Sequence, residues 1–250
     1  MRRWLLITAV LLAGACSRAQ VKQYGVKVVK EYPHRTDAYT QGLFFHDGTL
    51  WETTGQYGES SIRTVDLATG EPKDLKKLSS KYFGEGSVIL DGVLYVLTWT
   101  NKVAFKYDAA SITYRQTLRY PREGWGLTTD GRQLIASDGS ANLYFLDKDL
   151  KLVKRLPVTM NGRPLRYLNE LEWIDGKVWA NVYTTDTIVI INPADGKVEA
   201  AIDCTGLLPA KLRGHDTDVL NGIARDAEGR IYLTGKNWPR LYQVELVRKK

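Results

Sequence analysis

One short sequence phrase occurs five times along this chain of 250 residues. Each copy opens on a polar or aromatic residue and runs through a hairpin tip to an aliphatic or aromatic pair; the copies span residues 41–51, 85–95, 125–135, 169–179 and 221–232. Their opening positions lie 44, 40, 44 and 52 residues apart. A period of about 40–50 residues with strand-like content is typical of propeller blades with four antiparallel strands. The repeat therefore predicts an all-β fold, a five-bladed β-propeller.

The ends of the chain predict how this propeller closes. Alternating segments behind each phrase supply third and fourth strands, but after residues 240–246 no fourth strand follows. Residues 24–32 alternate like a strand ahead of the first phrase. We predict that this N-terminal strand completes the last blade and so protects its edge. The longest interval holds an insertion, residues 203–220, for which we predict a rim loop with one helical turn at 207–212.

The composition agrees with one large all-β domain. Seven Trp and fourteen Tyr favour strands. The net charge of +7 is scattered along the chain rather than clustered, which argues against nucleic acid as a partner. With Cys16 in a segment expected to be processed, Cys204 has no partner, so no disulfide framework is expected. We interpret Cys204 as a small buried apolar side chain.

Residues 1–19 have the features of an export segment. Arg2 and Arg3 precede an apolar run, residues 4–15, that is too short to span a bilayer and ends in small residues. Ordinary signal-peptidase cleavage and lipidation of Cys16 are both compatible with this end. We therefore assign residues 1–19 to a signal peptide or lipoprotein signal and residues 20–250 to the propeller. The predicted location is the bacterial periplasm, with membrane contact only through a lipid anchor at Cys16.

The opening residues of the five phrases predict the position of the functional site. Inner strands converge on the axis of a propeller, so the opening residues ring one mouth of the channel; they are Gln41, Glu85, Trp125, Asn169 and Asn221. Around them we place the ends of the second strands, Trp99, Asp138, Tyr183 and Lys236. Singly, each has an ordinary structural interpretation as a solvated charge or a core side chain. Together, one carboxylate, indoles and amides indicate a concave functional pocket.

Several familiar chemistries are missing from the sequence. His34, His46 and His215 have no mutual ligand spacing, so no zinc or other metal residues are predicted. No nucleophile elbow, phosphate-binding loop, dinucleotide fingerprint or EF-hand loop occurs. The sequence therefore directs attention to the mouth of the propeller.

The motifs around these positions resemble one known family. In chain order they are residues 39–43, 83–86, 97–99, 124–131, 137–139, 168–172, 178–181, 218–224 and 233–239. They are similar to motifs of the plant-type glutaminyl-peptide cyclotransferases, which plants and bacteria share, and the similarity extends over essentially residues 25–246. The resemblance implies a five-bladed propeller that converts the N-terminal glutamine of peptides or proteins to pyroglutamate with release of ammonia. No cofactor is required on this reading; a structural cation in the channel stays open, and we expect a monomer.

The resemblance also implies roles for individual residues. Glu85 matches the family's catalytic glutamate and is expected to act as general acid and base. The residues that match its substrate pocket are Gln41, Trp99, Trp125, Asn169 and Lys236. Tyr183 stands where the plant enzymes carry a Trp, so we expect altered affinity and retained chemistry there. The indoles would exclude water, while the amides and the Lys236 ammonium would bind the carbonyl oxygen as it becomes anionic.

Two other functions remain open at this point. A calcium-dependent propeller lactonase or hydrolase needs several carboxylates converging on the channel, whereas the five openings offer one. A propeller that only binds its ligand is also compatible, because a fold does not dictate an activity.

Overall fold

The computed structural model describes residues 20–249, so the predicted export segment and Cys16 lie outside the described residues. Within this range the chain forms 22 strands and one short 3₁₀ helix, Ala210–Leu212. The strands are β1 (Lys22–Pro33), β2 (Thr40–His46), β3 (Thr49–Thr54), β4 (Ser61–Val65), β5 (Pro72–Lys77), β6 (Gly84–Leu90), β7 (Val93–Thr98), β8 (Val103–Asp108), β9 (Tyr114–Arg119), β10 (Leu127–Thr129), β11 (Leu134–Ala136), β12 (Asn142–Leu146), β13 (Leu152–Pro157), β14 (Thr159–Met160), β15 (Arg163–Pro164), β16 (Leu168–Ile174), β17 (Lys177–Val182), β18 (Thr187–Ile191), β19 (Val198–Asp203), β20 (Leu220–Arg225), β21 (Ile231–Gly235) and β22 (Arg240–Arg248). The predicted all-β class is confirmed. None of the helical structure in residues 20–249 has the length and apolar character needed to cross a membrane.

The strands pair into four-stranded antiparallel units. The first unit is β2–β5, the second β6–β9 and the third β10–β13, each a separate sheet in chain order. The fourth unit is β16–β19, and the fifth is β20–β22 completed by β1, which pairs antiparallel with β22. The N-terminal strand therefore supplies the outermost strand of the last unit, as predicted. It also pairs in parallel with β19 through residues 22–25, which joins the last two units into one eight-stranded sheet.

The first strand of each unit lies on the inside of a closed ring. β2 contacts β6, β6 contacts β10, β10 contacts β16, β16 contacts β20, and β20 contacts β2 again. The long inner strands β2, β6, β16 and β20 are buried along most of their length. This is the arrangement of a β-propeller, and it brings the five phrase openings to one end of the central channel.

Five hydrophobic clusters hold the ring together, one at each junction between neighbouring units. Examples of the side chains that meet there, from the first–second to the fifth–first junction, are Phe44 with Leu94, Tyr95 with Leu134, Ile135 with Val178, Trp179 with Leu233, and Leu43 with Tyr232. Burying one large apolar side chain stabilises a fold by about 1.5–3 kcal/mol. Separating any two neighbouring units would expose the apolar cluster between them to water. Burial of the five clusters therefore stabilises the closed ring.

The recurring Asp-Gly pairs of the phrases have a conformational reason. The hairpin tips Asp47-Gly48, Asp91-Gly92 and Asp175-Gly176 have positive φ at both residues. A two-residue type I′ turn requires this, and Asp and Gly tolerate it at low cost. The short hairpin β14–β15 turns in the same way at Asn161-Gly162, although the sequence reading did not predict it.

The insertion at residues 203–220 differs from expectation in one detail. It is a loop, but the helical turn predicted at 207–212 is wrong in extent, because the structure has a 3₁₀ turn only at Ala210–Leu212. Gly206 takes a left-handed φ of 79°, and Pro209 disfavours a helical conformation in the residue before it. Leu207 and Leu208 instead bury their side chains in the cluster between the fourth and fifth units.

A buried ion pair lies where the first unit meets the fifth, between His34, which follows β1, and Glu52 on β3. His34 Nε2 lies 2.9 Å from Glu52 Oε1, and His34 Nδ1 lies 2.7 Å from the carbonyl oxygen of Trp238. A carbonyl oxygen and an ionised carboxylate are both acceptors, so this arrangement favours the cationic imidazole, in which both ring nitrogens donate. Burial acts to lower the pKa of His34, but the charge and hydrogen bonds around it outweigh burial and raise that pKa. Burial acts to raise the pKa of Glu52, but His34 and Arg63 bring it below its ordinary value.

We expect this pair to make the free energy of unfolding depend on pH. Because the folded pKa of His34 is raised, its contribution is complete below the ordinary value of 6.5 and is lost as pH rises through the folded pKa. Because the folded pKa of Glu52 is lowered, its contribution is present above 4.5 and is lost as pH falls through the folded pKa. Thermal unfolding of the wild type and of His34→Gln across both values is the measurement. An identical pH dependence in the two proteins would contradict the assignment.

Candidate active site

The openings of the inner strands surround a small cavity. Its volume is about 180 Å³, and its lining residues are Tyr39, Gln41, Phe83, Glu85, Trp99, Trp125, Asn169, Tyr183 and Lys236. The structure thus brings together seven of the nine side chains that the sequence analysis placed at the mouth, including all those matched to the family's catalytic and substrate residues; Asp138 and Asn221 are the two exceptions. Asp138 does not line it; its carboxylate accepts a hydrogen bond from the backbone of Ser140 instead. Asn221 is buried beneath the cavity and donates to Gln41 Oε1 and to the carbonyl of Thr40.

A β-bulge lies at the start of each long inner strand, where the phrase opens. In β2, β6, β16 and β20 the inner strand carries one residue more than its partner strand, and the register shifts occur at Gln41, at Glu85, at Asn169 and at Asn221. A bulge leaves one residue outside the ladder and re-aims its side chain. In β2, β6 and β16 the residue at this break lines the cavity (Gln41, Glu85 and Asn169), whereas Asn221 of β20 does not, and Trp125 reaches the cavity from the segment before β10.

The residue after each opening decides how closely the inner strands approach. A Cβ on Gly42 would lie 2.8 Å from the Ser87 nitrogen, and one on Gly126 would lie 2.0 Å from the Asn169 oxygen. Only glycine permits such contacts between backbones. The fourth phrase has Glu170 at this position, and its carboxylate accepts hydrogen bonds from the backbone nitrogens of Leu43 (3.2 Å) and Ile223 (2.9 Å). Glu170 thus links three inner strands across the channel, where burial raises its pKa well above the ordinary value.

Glu85 is a carboxylate without a partner. Its residue is only 4% exposed, yet among residues 20–249 its side chain makes no hydrogen bond and no ion pair. Burial raises the pKa of Glu85 well above its ordinary value; the positive charge of Lys236 opposes this, and the negative charge of Glu123 adds to it. Such a group holds a proton at a pH where an exposed glutamate has lost it, which suits it to give a proton as well as to take one.

Lys236 is the second buried charge of the pocket. It is 3% exposed, and its Nζ lies 4.6 Å from the ring centroid of Tyr39 and 4.9 Å from that of Tyr183. Burial lowers the pKa of Lys236, while the charges of Glu85 and Asp218 act to raise it. Two aromatic faces stabilise an ammonium without neutralising it. The side chain is therefore a cation held at the cavity and still able to bind a developing negative charge.

Aromatic rings form the walls of the cavity. Trp125 packs edge-on against Tyr183 with their ring centroids 5.5 Å apart, and Phe83 packs in the same way against Trp99 at 5.6 Å. Trp99 is 37% exposed and stands at the mouth, so it is not the core residue that tryptophan more commonly is. These rings enclose the charged groups in apolar surroundings, where electrostatic interactions are stronger than in water.

Two amide side chains add polar groups to the wall. Asn169 is buried, and its Oδ1 has no hydrogen-bond partner among the described residues. Gln41 receives a hydrogen bond from Asn221 on its Oε1, at 3.3 Å, which leaves its amide nitrogen toward the cavity without a partner in the described part of the chain. An unpartnered buried amide is costly, so a ligand with complementary groups is favoured in this position.

Four residues of the site were missed by the sequence analysis. Tyr39 and Phe83 line the cavity two positions before Gln41 and Glu85. Since strand residues two apart share a face, the aromatic residue two positions before two of the openings was an available indication. Glu123 and Asp218 stand behind the wall, bonded to pocket side chains. Neither lies in a repeated phrase, so no equivalence between blades pointed to them.

Outside this cavity, the other candidate sites lack a comparable set of functional groups. A larger open groove of about 1050 Å³ lies at the hairpin tips of the first two units, remote from the phrase openings, and its Asp108 is paired with Arg115. Residues 20–249 contain no group of three or more His, Cys, Asp or Glu side chains able to hold a metal ion. A structural cation in the channel therefore stays a prediction. Burial raises the pKa of the Cys204 thiol to about 12, which fits its interpretation as a buried apolar side chain.

Known proteins share both the sequence and the fold. A family model described as glutamine cyclotransferase matches residues 4–246. A glutaminyl-peptide cyclotransferase of Arabidopsis thaliana is 44% identical over 229 residues, which are 88% of this chain and 71% of the relative. The crystal structure of the Myxococcus xanthus glutaminyl cyclase matches with a TM-score of 0.87 and 35% identity, covering 92% of this chain and 100% of that one. A streptogramin B lyase structure matches with a TM-score of 0.51 and 11% identity over 89% and 98% of the two chains, which is a likeness of fold alone.

Proposed function

Since the chain belongs to the glutamine cyclotransferase family, we infer that it is a glutaminyl-peptide cyclotransferase and propose that Glu85 carries the protons of its reaction. The enzyme converts the N-terminal glutamine of a peptide or protein to pyroglutamate and releases ammonia. The observation that supports this role is the single carboxylate of the cavity, buried among aromatic rings without a partner in residues 20–249. A cavity of about 180 Å³ suits one terminal residue, because pockets for larger ligands measure about 300–1,000 Å³.

The reaction needs a proton to move from one nitrogen to another. The neutral α-amine attacks the side-chain amide carbon, and a C–N bond forms to give a tetrahedral oxyanion. The bond to the side-chain nitrogen then breaks, and that nitrogen leaves as ammonia. Glu85 takes the proton that the attacking amine loses and gives it to the departing nitrogen. Its raised pKa matches both halves of this transfer.

Lys236 and the amides stabilise the oxyanion. The ammonium of Lys236 is held between the rings of Tyr39 and Tyr183, so its position is set before the substrate arrives. The amide groups of Gln41 and Asn169 are fixed in the wall and bind the polar atoms of the terminal residue. Preorganised charges and dipoles in a water-poor site are usually the largest single source of rate enhancement.

The aromatic walls favour cyclisation over hydrolysis. Trp99 and Trp125 exclude water from the reacting carbon and hold the glutamine side chain folded back toward its own amine. The attack is intramolecular, and a well-oriented intramolecular reaction gains the equivalent of about 10⁵–10⁸ M in concentration. The pocket therefore acts mainly by shape, and its one proton carrier completes the chemistry.

Mass spectrometry of a peptide that begins with glutamine tests this function. We expect loss of ammonia with the enzyme, and no change in a matched peptide whose α-amine is acetylated, because the nucleophile is then blocked. Parallel samples with EDTA test the proposal that no metal is required. An intact glutamine peptide would overturn the function, whereas cyclisation that EDTA abolishes would overturn only the metal independence.

The substitution Tyr183→Trp restores the aromatic residue that the family resemblance implies at this position. The larger ring changes the contact with Trp125 and with the Lys236 ammonium, neither of which Tyr183 bonds through its hydroxyl. We expect KM to change by roughly 5- to 10-fold, the low end of the ~1–3 kcal/mol scale of small changes in a pocket, with kcat close to wild type. Steady-state kinetics on one glutamine peptide give both values. A large loss of kcat would mean that Tyr183 takes part in the chemistry itself.

We further propose that the enzyme acts after export, as a monomer in the periplasm or anchored through Cys16. The support is the charged and apolar pattern of residues 1–19 with small residues before Cys16. The mass of the mature N-terminal peptide distinguishes the outcomes. An unprocessed Met1 in the mature protein would refute export.

A further inference from the structure

The two tryptophans of the pocket share one hydrogen-bond acceptor. Trp99 Nε1 donates to Glu123 Oε2 at 3.0 Å, and Trp125 Nε1 donates to the same oxygen at 3.2 Å. Trp99 follows β7 in the second unit, whereas Trp125 precedes β10 in the third. One carboxylate thus ties together two walls of the cavity that come from different units of the propeller.

The backbone around Glu123 is held in place independently of its side chain. The nitrogen of Gly124 donates to the carbonyl oxygens of Thr98 (3.0 Å) and Trp99 (3.2 Å). A Cβ on Gly124 would lie 2.6 Å from the Leu97 Cβ, so the segment passes β7 as closely as a chain can. The backbone that carries the Glu123 carboxylate is therefore fixed by its own contacts, and the hydrogen bonds of the carboxylate orient the indoles rather than the reverse.

Trp99 has little else to orient it. Its side chain stands at the mouth and is 37% exposed, and its ring contact is the edge of Phe83 at 5.6 Å. Trp125 is better enclosed, since it also packs on Tyr183 and on the backbone of Gly139. A charged acceptor forms shorter and stronger hydrogen bonds than a neutral one, so Glu123 is the main restraint on the Trp99 indole.

We propose that Glu123 is a positioning residue, which holds the indoles of Trp99 and Trp125 as the two walls that fold the substrate's glutamine side chain. This proposal rests on the proposed function, because the fold-back of that side chain is what the walls serve. Glu123 does not line the cavity and does not touch the reacting atoms. It acts through the two tryptophans.

The charge of Glu123 has a second, separable effect. The charged groups that act on the Glu85 carboxyl are Lys236, which lowers its pKa, and Glu123, which raises it in the same direction as burial. A neutral acceptor in place of Glu123 would keep the hydrogen bonds and remove this charge. Substitution by Ala removes both the hydrogen bonds and the charge of Glu123, whereas substitution by Gln removes only the charge.

Three variants test the proposal. In Glu123→Ala both indoles lose their acceptor, and we expect kcat/KM to fall by roughly 10- to 100-fold, the scale of a displaced pocket group. In Glu123→Gln the amide oxygen accepts the same hydrogen bonds, so most of kcat/KM returns while the acidic limb of the kcat profile moves to lower pH. Glu59→Ala is the matched control, a rim glutamate that pairs with Lys77 and contacts neither tryptophan.

Acrylamide quenching of tryptophan fluorescence measures how accessible the indoles of Trp99 and Trp125 are, and it does not depend on catalytic activity. Trp51, Trp179 and Trp238 are buried, and the partly buried Trp173 packs on the cluster between the third and fourth units, away from Glu123. Added quenching in Glu123→Ala therefore comes chiefly from the released indoles, and it should be absent in Glu123→Gln and Glu59→Ala. Wild-type quenching and kcat/KM in a folded Glu123→Ala would overturn the proposal. Wild-type protein that fails to cyclise glutamine peptides, while Glu123→Ala still shows added quenching, would instead overturn the proposed function and leave the structural role of Glu123 standing.

Discussion

The Glu85→Gln variant is expected to fold as the wild type does and to cyclise a glutamine peptide at least about 100-fold more slowly, the usual scale of a lost general acid and base. Glutamine has nearly the same shape as glutamate, so the aromatic walls stay closed around it. It has no carboxylate to accept the proton of the attacking amine. The loss therefore falls on kcat rather than on KM.

The pH dependence of kcat gives a second reading of the same group. Burial raises the pKa of Glu85, and the proton can be taken from the amine only when the carboxyl is ionised. The wild-type kcat should therefore rise as pH increases through this raised pKa, and the variant should lack that limb. Measuring kcat in the enzyme–substrate complex avoids the titration of the free peptide amine, which has an ordinary pKa of about 7.7–8.0.

Glu172→Gln is the matched control for this experiment. Glu172 is also a buried carboxyl on an inner strand, and burial raises its pKa to about 8, but it does not line the cavity. Its oxygens accept hydrogen bonds from the backbone of Arg225 and from Thr128. The variant should keep a turnover close to wild type. Full activity in Glu85→Gln would remove that residue from the mechanism, and an equal loss in both variants would point to a general disturbance of the inner strands.

The positions of the pocket residues followed from the repeat because equivalent positions in a propeller converge on one axis. Gln41, Glu85, Trp125 and Asn169 are related by that equivalence, and the structure brings them to one cavity. The Asp-Gly tips were readable for a local reason, since few residue pairs tolerate two positive φ angles in sequence. One inference depends on the equivalence of the five inner strands, and the other depends on the local conformation of a turn.

Features that depend on contacts between different units were beyond the sequence. The bulges at the phrase openings are irregularities in the pairing of each inner strand with its neighbour, and the alternation of the sequence did not predict them. Glu170 breaks the glycine pattern of the other phrases, yet only the structure shows its carboxylate reaching Leu43 and Ile223 on two other strands. The same applies to Glu123, whose partners stand at either side of it in the chain but on different units. Such partners are set by packing.

The Lys236→Met variant should lower kcat by about 100-fold, the scale of a missing oxyanion contact, while KM changes little. Methionine keeps an unbranched apolar chain between the rings of Tyr39 and Tyr183 but has no charge. The oxyanion exists only after attack, so the ammonium binds the transition state more tightly than the substrate. A rise in KM with unchanged kcat would show that Lys236 only binds the substrate.

Lys106→Met is the matched control, because Lys106 also lies over a tyrosine ring, that of Tyr95, but pairs with Asp149 away from the cavity.

The pH dependence of kcat distinguishes the loss of the Lys236 charge from a change in the shape of the pocket. Burial lowers the pKa of Lys236, so the wild-type kcat should fall as pH rises through that pKa and the ammonium loses its charge. In Lys236→Met this alkaline limb disappears, and the acidic limb moves to higher pH, since the charge that held down the pKa of Glu85 is gone. Because the two groups interact, a shift in both limbs from one substitution is the result that a coupled pair requires, and a profile that changes only in height would mean that they act separately.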